Sequence, residues 1–188
     1  MPDSTTMTLT QGRRGPSSCD DRRLLLHAST SSGYFARYMS IGIVDASPAA
    51  CWDLIGDSGS WLTSISGARE VGNRARRGLF CETYNVIQKT KVNLIGKDFH
   101  VDMKLGIESD SLKREMRFTC KERNKLMSKL EGSFKVIPVG DRGRLRKALP
   151  NVGQEHLDAL FCPQGDRHKS IVVLEQAVQP SMMPPKFV

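Results

Sequence analysis

The sequence contains no long hydrophobic run. Its 188 residues are 39% hydrophobic and 26% charged, and no apolar stretch approaches the length of a spanning helix. Such a helix needs about 20 consecutive, predominantly apolar residues, so the composition argues against one. The length is that of one domain with a single core. We therefore expect a soluble or peripheral protein.

Paired cysteines are also missing. The five cysteines are odd in number, widely spaced and never in a CxxC pair. This spacing indicates neither a disulfide framework nor a zinc knuckle, and it suits a reducing, intracellular compartment. His156, Cys162 and His168 lie within one short segment, but a zinc site requires a fourth ligand. The sequence therefore predicts no metal site and no cofactor.

Aromatic residues make up only 6% of the chain, whereas 28 Lys and Arg against 20 Asp and Glu give a formal charge of +8. The surplus would favour any polyanion, or it is merely solvated. The densest basic cluster, Arg69, Arg74, Arg76 and Arg77, lacks the interleaved aromatic residues on which single-stranded bases stack. Nucleic-acid binding is therefore disfavoured, and an anionic membrane surface stays open as a partner.

Catalytic motifs are absent as well. The sequence has no nucleophile elbow, glycine-rich phosphate loop, HExxH helix or paired-carboxylate arrangement. Catalysis inside a cavity would need an inward-facing acid or base with a shifted pKa. Glu82 is the only carboxylate placed among inward positions, while His100 and Asp102 fall on the outer face of their strand. We name no catalytic residue and expect binding rather than catalysis.

What the sequence does contain is alternation. Residues 99–107 place an apolar side chain at every second position, which predicts a strand with one buried face. Six other segments have strand-like patterns, at residues 38–44, 68–75, 79–88, 113–120, 130–138 and 170–179. In the last of these, Val172, Leu174 and Val178 form the predicted inward set.

Short helices are predicted between the first two strands. Ser47 is a good N-cap and Pro48 a good first helical residue, so residues 48–55 should be helical, with Trp52 packed against the sheet. Residues 61–65 suggest one further turn. One strand, one or two short helices and then six strands predict an α+β fold with a curved antiparallel sheet.

The chain divides into a tail and one domain. Residues 1–33 are rich in Ser, Thr, Gly, Arg and Pro, which predicts a disordered tail or an organelle transit peptide for a chloroplast or mitochondrion. Residues 34–188 form the domain. Residues 141–169 are too long for a hairpin connection and are therefore functional, disordered or inserted. Within this insertion, residues 151–161 could form a helix.

The order of these elements, with certain local segments, resembles the START-like superfamily and its polyketide cyclase/dehydrase and coenzyme Q-binding START group. The segments are IVDASPAACWDLI at 43–55, QKTKV at 88–92, LEGSFKV at 130–136 and VQP at 178–180, followed by Pro184-Pro185. The resemblance covers residues 38–188. It implies a helix-grip fold, in which a seven-stranded sheet wraps around a long C-terminal helix. The sequence departs from that pattern through its insertion and through the lack of a long helix after Pro185.

The resemblance also implies a hydrophobic cavity between sheet and helix, as in members that carry sterols, phospholipids, quinones or polyketides. The expected function is binding or transport of a hydrophobic small molecule of the lipid, quinone or isoprenoid class. Two alternatives are a cyclase/aromatase-like enzyme with Glu82 as its base, and a protein-interaction module that accepts a helix in an open groove. The expected ligand-binding residues are Trp61, Leu62, Ile65, Tyr84, Val86, Phe99, Val101, Met103, Leu105, Met116, Phe118, Phe134 and Leu174. A packed core is the other interpretation of the same side chains.

Overall fold

The computed structural model describes residues 7–9, 25–31, 34–56, 68–94, 97–123, 127–150, 152–154, 157–158 and 168–181. These residues form a nine-stranded sheet in which all neighbouring strands are antiparallel. The strands are β1 (Met7–Leu9), β2 (Leu25–Ser31), β3 (Tyr34–Val44), β4 (Ala68–Arg76), β5 (Cys81–Leu94), β6 (Lys97–Asp110), β7 (Glu115–Cys120), β8 (Met127–Pro138) and β9 (Ser170–Pro180). Their spatial order is β1-β2-β3-β9-β8-β7-β6-β5-β4.

The seven strands β3 to β9 are those expected from the sequence, and the α+β class with a curved antiparallel sheet is confirmed. β5 and β6 each run 14 residues and pair along their whole length, from Cys81 with Asp110 to Leu94 with Lys97. The pattern of the sequence ended β5 at residue 88, because polar residues follow. The hairpin continues beyond that point since backbone hydrogen bonding needs no apolar side chain.

Two further strands lie within the segment for which the sequence predicts a disordered tail. β2 pairs with β3 from Leu25 opposite Ile41 to Ser31 opposite Tyr34, and β1 pairs with β2. β3 would otherwise present an unpaired edge of backbone donors and acceptors on this side. The division of the chain into a tail and a domain remains a prediction.

Helix α1 (Pro48–Gly56) follows β3 as predicted and lies on one face of the sheet. Ser47 caps it, because its hydroxyl accepts the Ala50 N–H at 3.2 Å and its carbonyl accepts the Cys51 N–H at 2.9 Å. Trp52 is buried, in agreement with its predicted packing against the sheet. We call this side of the sheet the α1 face.

Helix α2 (Arg142–Ala148) lies in the insertion and covers the other side of the sheet, which we call the α2 face. Asp141 caps it by accepting the Arg144 N–H at 2.9 Å. Leu145 and Leu149 are buried and pack in one cluster with Ile171 and Val173, both of which have no exposed surface. The insertion therefore forms part of the core.

The sequence did not predict α2, and the helix it placed over residues 151–161 is described only in part. Gln154, Leu157 and Asp158 are helical, and the Leu157 N–H donates to the Gly153 carbonyl at 3.1 Å. The other residues of that predicted helix, apart from Val152 and Gly153, lie outside the described ones. The predicted turn at residues 61–65 also lies outside them.

Candidate ligand-binding face

The α1 face has a continuous apolar floor. Strand register places the floor residues of β5, β6 and β7 side by side, with Tyr84 opposite Ile107 and Ile107 opposite Phe118. Six residues of these strands are at most 5% exposed: Tyr84, Val86, Leu105, Ile107, Met116 and Phe118. Because Val86 and Met116 have no exposed surface at all, this central part of the floor is packed.

α1 closes one part of this floor. Its Cys51 and Trp52 belong to the same buried cluster as the six floor residues, together with Leu130 and Val136 of β8. The Ser170 hydroxyl, at the start of β9, donates to the Ala46 carbonyl at 2.7 Å. This bond fixes the chain just before α1 to the sheet.

The margin of the floor is more open. Phe134, Leu174 and Val178, on β8 and β9, are only half-buried and pack against the edge of the cluster. The rings of Phe118 and Phe134 are tilted by 45° with centroids 6.0 Å apart, a favourable aromatic geometry. Met103 and Met127 are also half-buried, and methionine adapts its shape to irregular neighbours. A ligand could still cover these five side chains.

The structure brings eight of the thirteen predicted ligand-binding residues into this one cluster: Tyr84, Val86, Met103, Leu105, Met116, Phe118, Phe134 and Leu174. Phe99 and Val101 lie on β6, where their backbones pair with Val92 and Thr90. Trp61, Leu62 and Ile65 lie outside the described residues. That any of these residues binds a ligand stays a prediction.

A charged group lies where the floor meets the outer strand of the sheet. Glu82 is on the α1 face, as the sequence indicated, but both its carboxylate oxygens contact guanidinium groups, of Arg74 at 3.0 Å and of Arg76 at 3.2 Å. Arg74 also lies over the Tyr84 ring, 4.8 Å from its centroid. A carboxylate engaged in this way is poorly placed to abstract a proton from a ligand.

The position of Arg74 in this group was not predicted from the sequence. Between Val71 opposite Asn85 and Ala75 opposite Thr83, β4 contains two extra residues, and Gly72 there has a φ of +84°. An irregularity of two residues keeps the side-chain alternation in phase, so Arg74 and Arg76 both face Glu82. Gly72 was the available signal in the sequence, because a glycine inside a strand often marks a bulge.

A polar depression of about 320 Å³ lies on the α2 face, over β7, β8 and β9. Its charged side chains pair among themselves, with Lys135 Nζ 3.3 Å from Glu175, Arg117 Nε 2.9 Å from Glu115 and Arg37 3.8 Å from Glu131. Three cations and three carboxylates leave no net charge to attract an ion. We therefore regard the α1 face as the candidate site.

Metal binding has no support among the described residues. Within them, no three His, Cys, Asp or Glu side chains are grouped closely enough to hold an ion. His168 is exposed, while His156 and Cys162 lie outside the described part of the chain. Cys51, Cys81 and Cys120 are free thiols. None of the helices in the described ranges has the length and apolar character needed to cross a bilayer.

Comparisons with known proteins give structural likeness at low identity. No protein-family model matches the sequence, and no curated protein does. The Zhui aromatase/cyclase of Streptomyces sp. R1128 superposes with a TM-score of 0.49 at 9% identity, over 79% of this chain and 70% of that one. A Thermobifida fusca protein gives 0.45 at 15% identity, over 77% and 74% of the two chains. A Thermus thermophilus protein gives 0.45 at 14%, over 80% and 77%. At these values the likeness carries no statement about activity.

Proposed function

We propose that the α1 face binds a hydrophobic small molecule of the lipid, quinone or isoprenoid class. One observation carries the proposal: five strands present apolar side chains on this face, and three of those on β8 and β9, Phe134, Leu174 and Val178, remain half-buried. Ligand sites are typically apolar surfaces with few polar groups. An apolar ligand gains roughly 25 cal/mol for each Å² removed from water, so about 200 Å² would supply about 5 kcal/mol.

The described side chains favour binding over catalysis. Glu82, the carboxylate expected as a base in the enzyme alternative, is held by two arginines at the edge of the floor. Three other carboxylates of the sheet, those of Glu115, Glu131 and Glu175, border the depression on the opposite face. Among its described residues, the α1 face thus offers apolar contact area and no acid–base pair. Contact with an anionic membrane is a separate proposal, because it rests on the turns at one end of the sheet and not on the α1 face.

The test is ligand uptake by the purified full chain. Native mass spectrometry after incubation with mixed phospholipids, quinones and isoprenoids should show a bound species. Leu174→Ser places a hydroxyl on the half-buried margin and should weaken uptake about tenfold, since most of the apolar contact of one leucine is lost. Leu54→Ser is the matched control, because Leu54 on α1 is 65% exposed.

Folding must be checked in the same samples. If Leu174→Ser does not give a cooperative thermal transition, Val178→Thr replaces it, because threonine has nearly the shape of valine. A folded wild-type chain that takes up no member of the three classes would overturn the proposal. Equal uptake by the folded margin variants and Leu54→Ser would place the ligand elsewhere.

A further inference from the structure

Two turns meet at one end of the sheet. The β4–β5 connection, residues 77–80, and the β6–β7 connection, residues 111–114, leave the sheet side by side. The Phe80 carbonyl accepts two hydrogen bonds from Ser111, from its N–H at 2.9 Å and from its hydroxyl at 3.3 Å. The two turns therefore form one surface.

This surface carries three exposed large hydrophobic side chains, Leu79, Phe80 and Leu112, which we call the turn patch. Leu79 is 93% exposed, Phe80 49% and Leu112 63%. Tips of turns usually carry small or polar residues, since an apolar side chain gains nothing there from the protein's own core. Adjacent exposed hydrophobic residues mark a surface that is buried against something else.

Cations surround the turn patch. The Arg76 side chain is 80% exposed and that of Lys113 is 71% exposed, while Arg77 is also exposed and Arg114 half-buried. The carboxylates that flank the two turns most closely are Glu82 and Asp110, which pair with Arg76 and Lys113, and Glu115, which pairs with Arg117. With Arg117 included, five cations face three carboxylates, so the surface around the apolar tips is positive.

Local structure holds these side chains outward. Asp110 accepts the Lys113 N–H at 3.0 Å and its other oxygen contacts Lys113 Nζ at 2.8 Å, which fixes the β6–β7 turn. Gly78, in the neighbouring turn, has a φ of +129°, which a residue with a β-carbon rarely adopts. Arg114 has a φ of +53°, a conformation that is uncommon for residues other than glycine. The Asp110 contacts hold the β6–β7 turn, and the two bonds from Ser111 to the Phe80 carbonyl join it to the β4–β5 turn.

We propose that the turn patch docks on an anionic lipid bilayer. Leu79, Phe80 and Leu112 would enter the boundary between headgroups and acyl chains, and the surrounding cations would contact lipid phosphate and carboxylate groups. A nucleic acid would use the cations but gives no role to three aliphatic or aromatic tips. The proposal does not depend on ligand uptake, because none of the side chains that carry it is one of the margin residues Phe134, Leu174 and Val178.

The experiment measures vesicle co-sedimentation of the full chain. Vesicles of phosphatidylcholine alone are compared with vesicles that also contain phosphatidylserine. Binding should require phosphatidylserine and should weaken as salt screens the charges. Leu79→Ser and Leu112→Ser should each lower the affinity about tenfold, because each removes one inserted apolar side chain. Phe35→Ser is the control, since Phe35 is 44% exposed at the start of β3, at the opposite end of the sheet.

Charge is tested with a matched pair. Arg77→Glu should weaken binding by about tenfold or more, since each basic residue near an anionic surface contributes about fivefold and the new glutamate is repelled. Arg123→Glu makes the same change of charge on an exposed residue beyond β7, at the far end of the sheet, and should have little effect.

Three outcomes would overturn the proposal: no binding to phosphatidylserine vesicles, equal binding to neutral ones, or full binding by both serine variants. Binding of a DNA oligonucleotide without any vesicle binding would instead assign the cations to a nucleic acid. Leu174→Ser should bind vesicles normally, which separates docking on a bilayer from uptake of a single lipid.

Discussion

The ring of Phe118 on β7 occupies the space where a side chain of Gly132 on β8 would lie. The two residues are directly paired, and a β-carbon built on Gly132 would collide with Phe118 Cζ and with the Glu175 carbonyl oxygen. An aromatic ring over a strand glycine replaces the packing that the glycine cannot provide. The close approach of β7, β8 and β9 under the floor of the α1 face therefore depends on a missing methyl group.

Gly132→Ala is expected to lower the free energy of unfolding by about 1–3 kcal/mol, because one of the colliding atoms belongs to backbone and must shift. Gly42→Ala is the control. A β-carbon there meets nothing within 4 Å, so alanine should leave stability unchanged or raise it by up to about 1 kcal/mol. Urea denaturation of both variants makes the comparison, and equal effects would contradict the observed contact.

Leu149→Ala tests whether the insertion is part of the core. Leu149 is 1% exposed and packs in the cluster with Ile171 and Val173, so the variant should lose about 2–5 kcal/mol of unfolding free energy. Leu54→Ala, at a position that is 65% exposed, should change stability by less than about 0.5 kcal/mol. Both values come from denaturant titration. A loss below about 1 kcal/mol in Leu149→Ala would mean that the insertion does not cover the sheet.

Double-mutant cycles should separate the two arginine partners of Glu82. The Arg76 side chain is 80% exposed, so its coupling to Glu82 should fall below about 0.5 kcal/mol. The Arg74 side chain is 33% exposed, and its coupling should be larger, about 1 kcal/mol. The cycles compare single and double alanine variants by thermal and urea unfolding. A larger coupling for Arg76 than for Arg74 would contradict the geometry.

Asp110 should make stability depend on pH in the acid range. Its hydrogen bond with the Lys113 side chain lowers the pKa of this carboxyl below its ordinary value, although burial acts in the opposite direction. A pKa that is lower in the folded state gives stabilisation that is complete above the unfolded-state pKa, about 3.9, and is lost as the pH falls through the folded-state pKa.

Asp110→Asn should therefore be less stable than the wild type at neutral pH, and the difference should shrink as the pH falls below about 4. Urea titrations at a series of pH values provide the measurement. If the difference in unfolding free energy between the wild type and Asp110→Asn stays constant as the pH falls through the acid range, the bond to Lys113 does not depend on the charge of Asp110.

Much of the sheet was predictable because apolar and polar residues alternate along several of its strands. β8 is the clearest example: Leu130, Phe134 and Val136 share one face with Gly132, as their spacing required. The same reasoning placed eight ligand-binding candidates on one face, because a strand leaves its side chains only two directions. The half-buried margin could not be separated from the packed floor, since burial depends on what covers each residue.

The covered second face was missed, although a signal for it existed. Ile171, Val172, Val173 and Leu174 form an unbroken apolar run, and such runs are typical of strands that are buried on both sides. Alternation alone assigns only one buried face to β9. The residues predicted for that face were Val172, Leu174 and Val178. Leu174 and Val178 do pack on the α1 face, but Ile171 and Val173 are more deeply buried under the insertion.

The amino-acid sequence by itself determined the class of fold, the order of the seven core strands, the start of α1 and the apolar character of one face. These are local properties, fixed by periodicity, capping and turn chemistry within a few residues. Only the tertiary structure decided that the insertion covers the second face, that Arg74 and Arg76 hold Glu82, and that Leu79, Phe80 and Leu112 share one exposed end. The first and third depend on segments that are distant in the chain but adjacent in the fold, and sequence spacing carries no information about that adjacency. The second depends on the two extra residues of β4, which place Arg74 on the same side as Glu82.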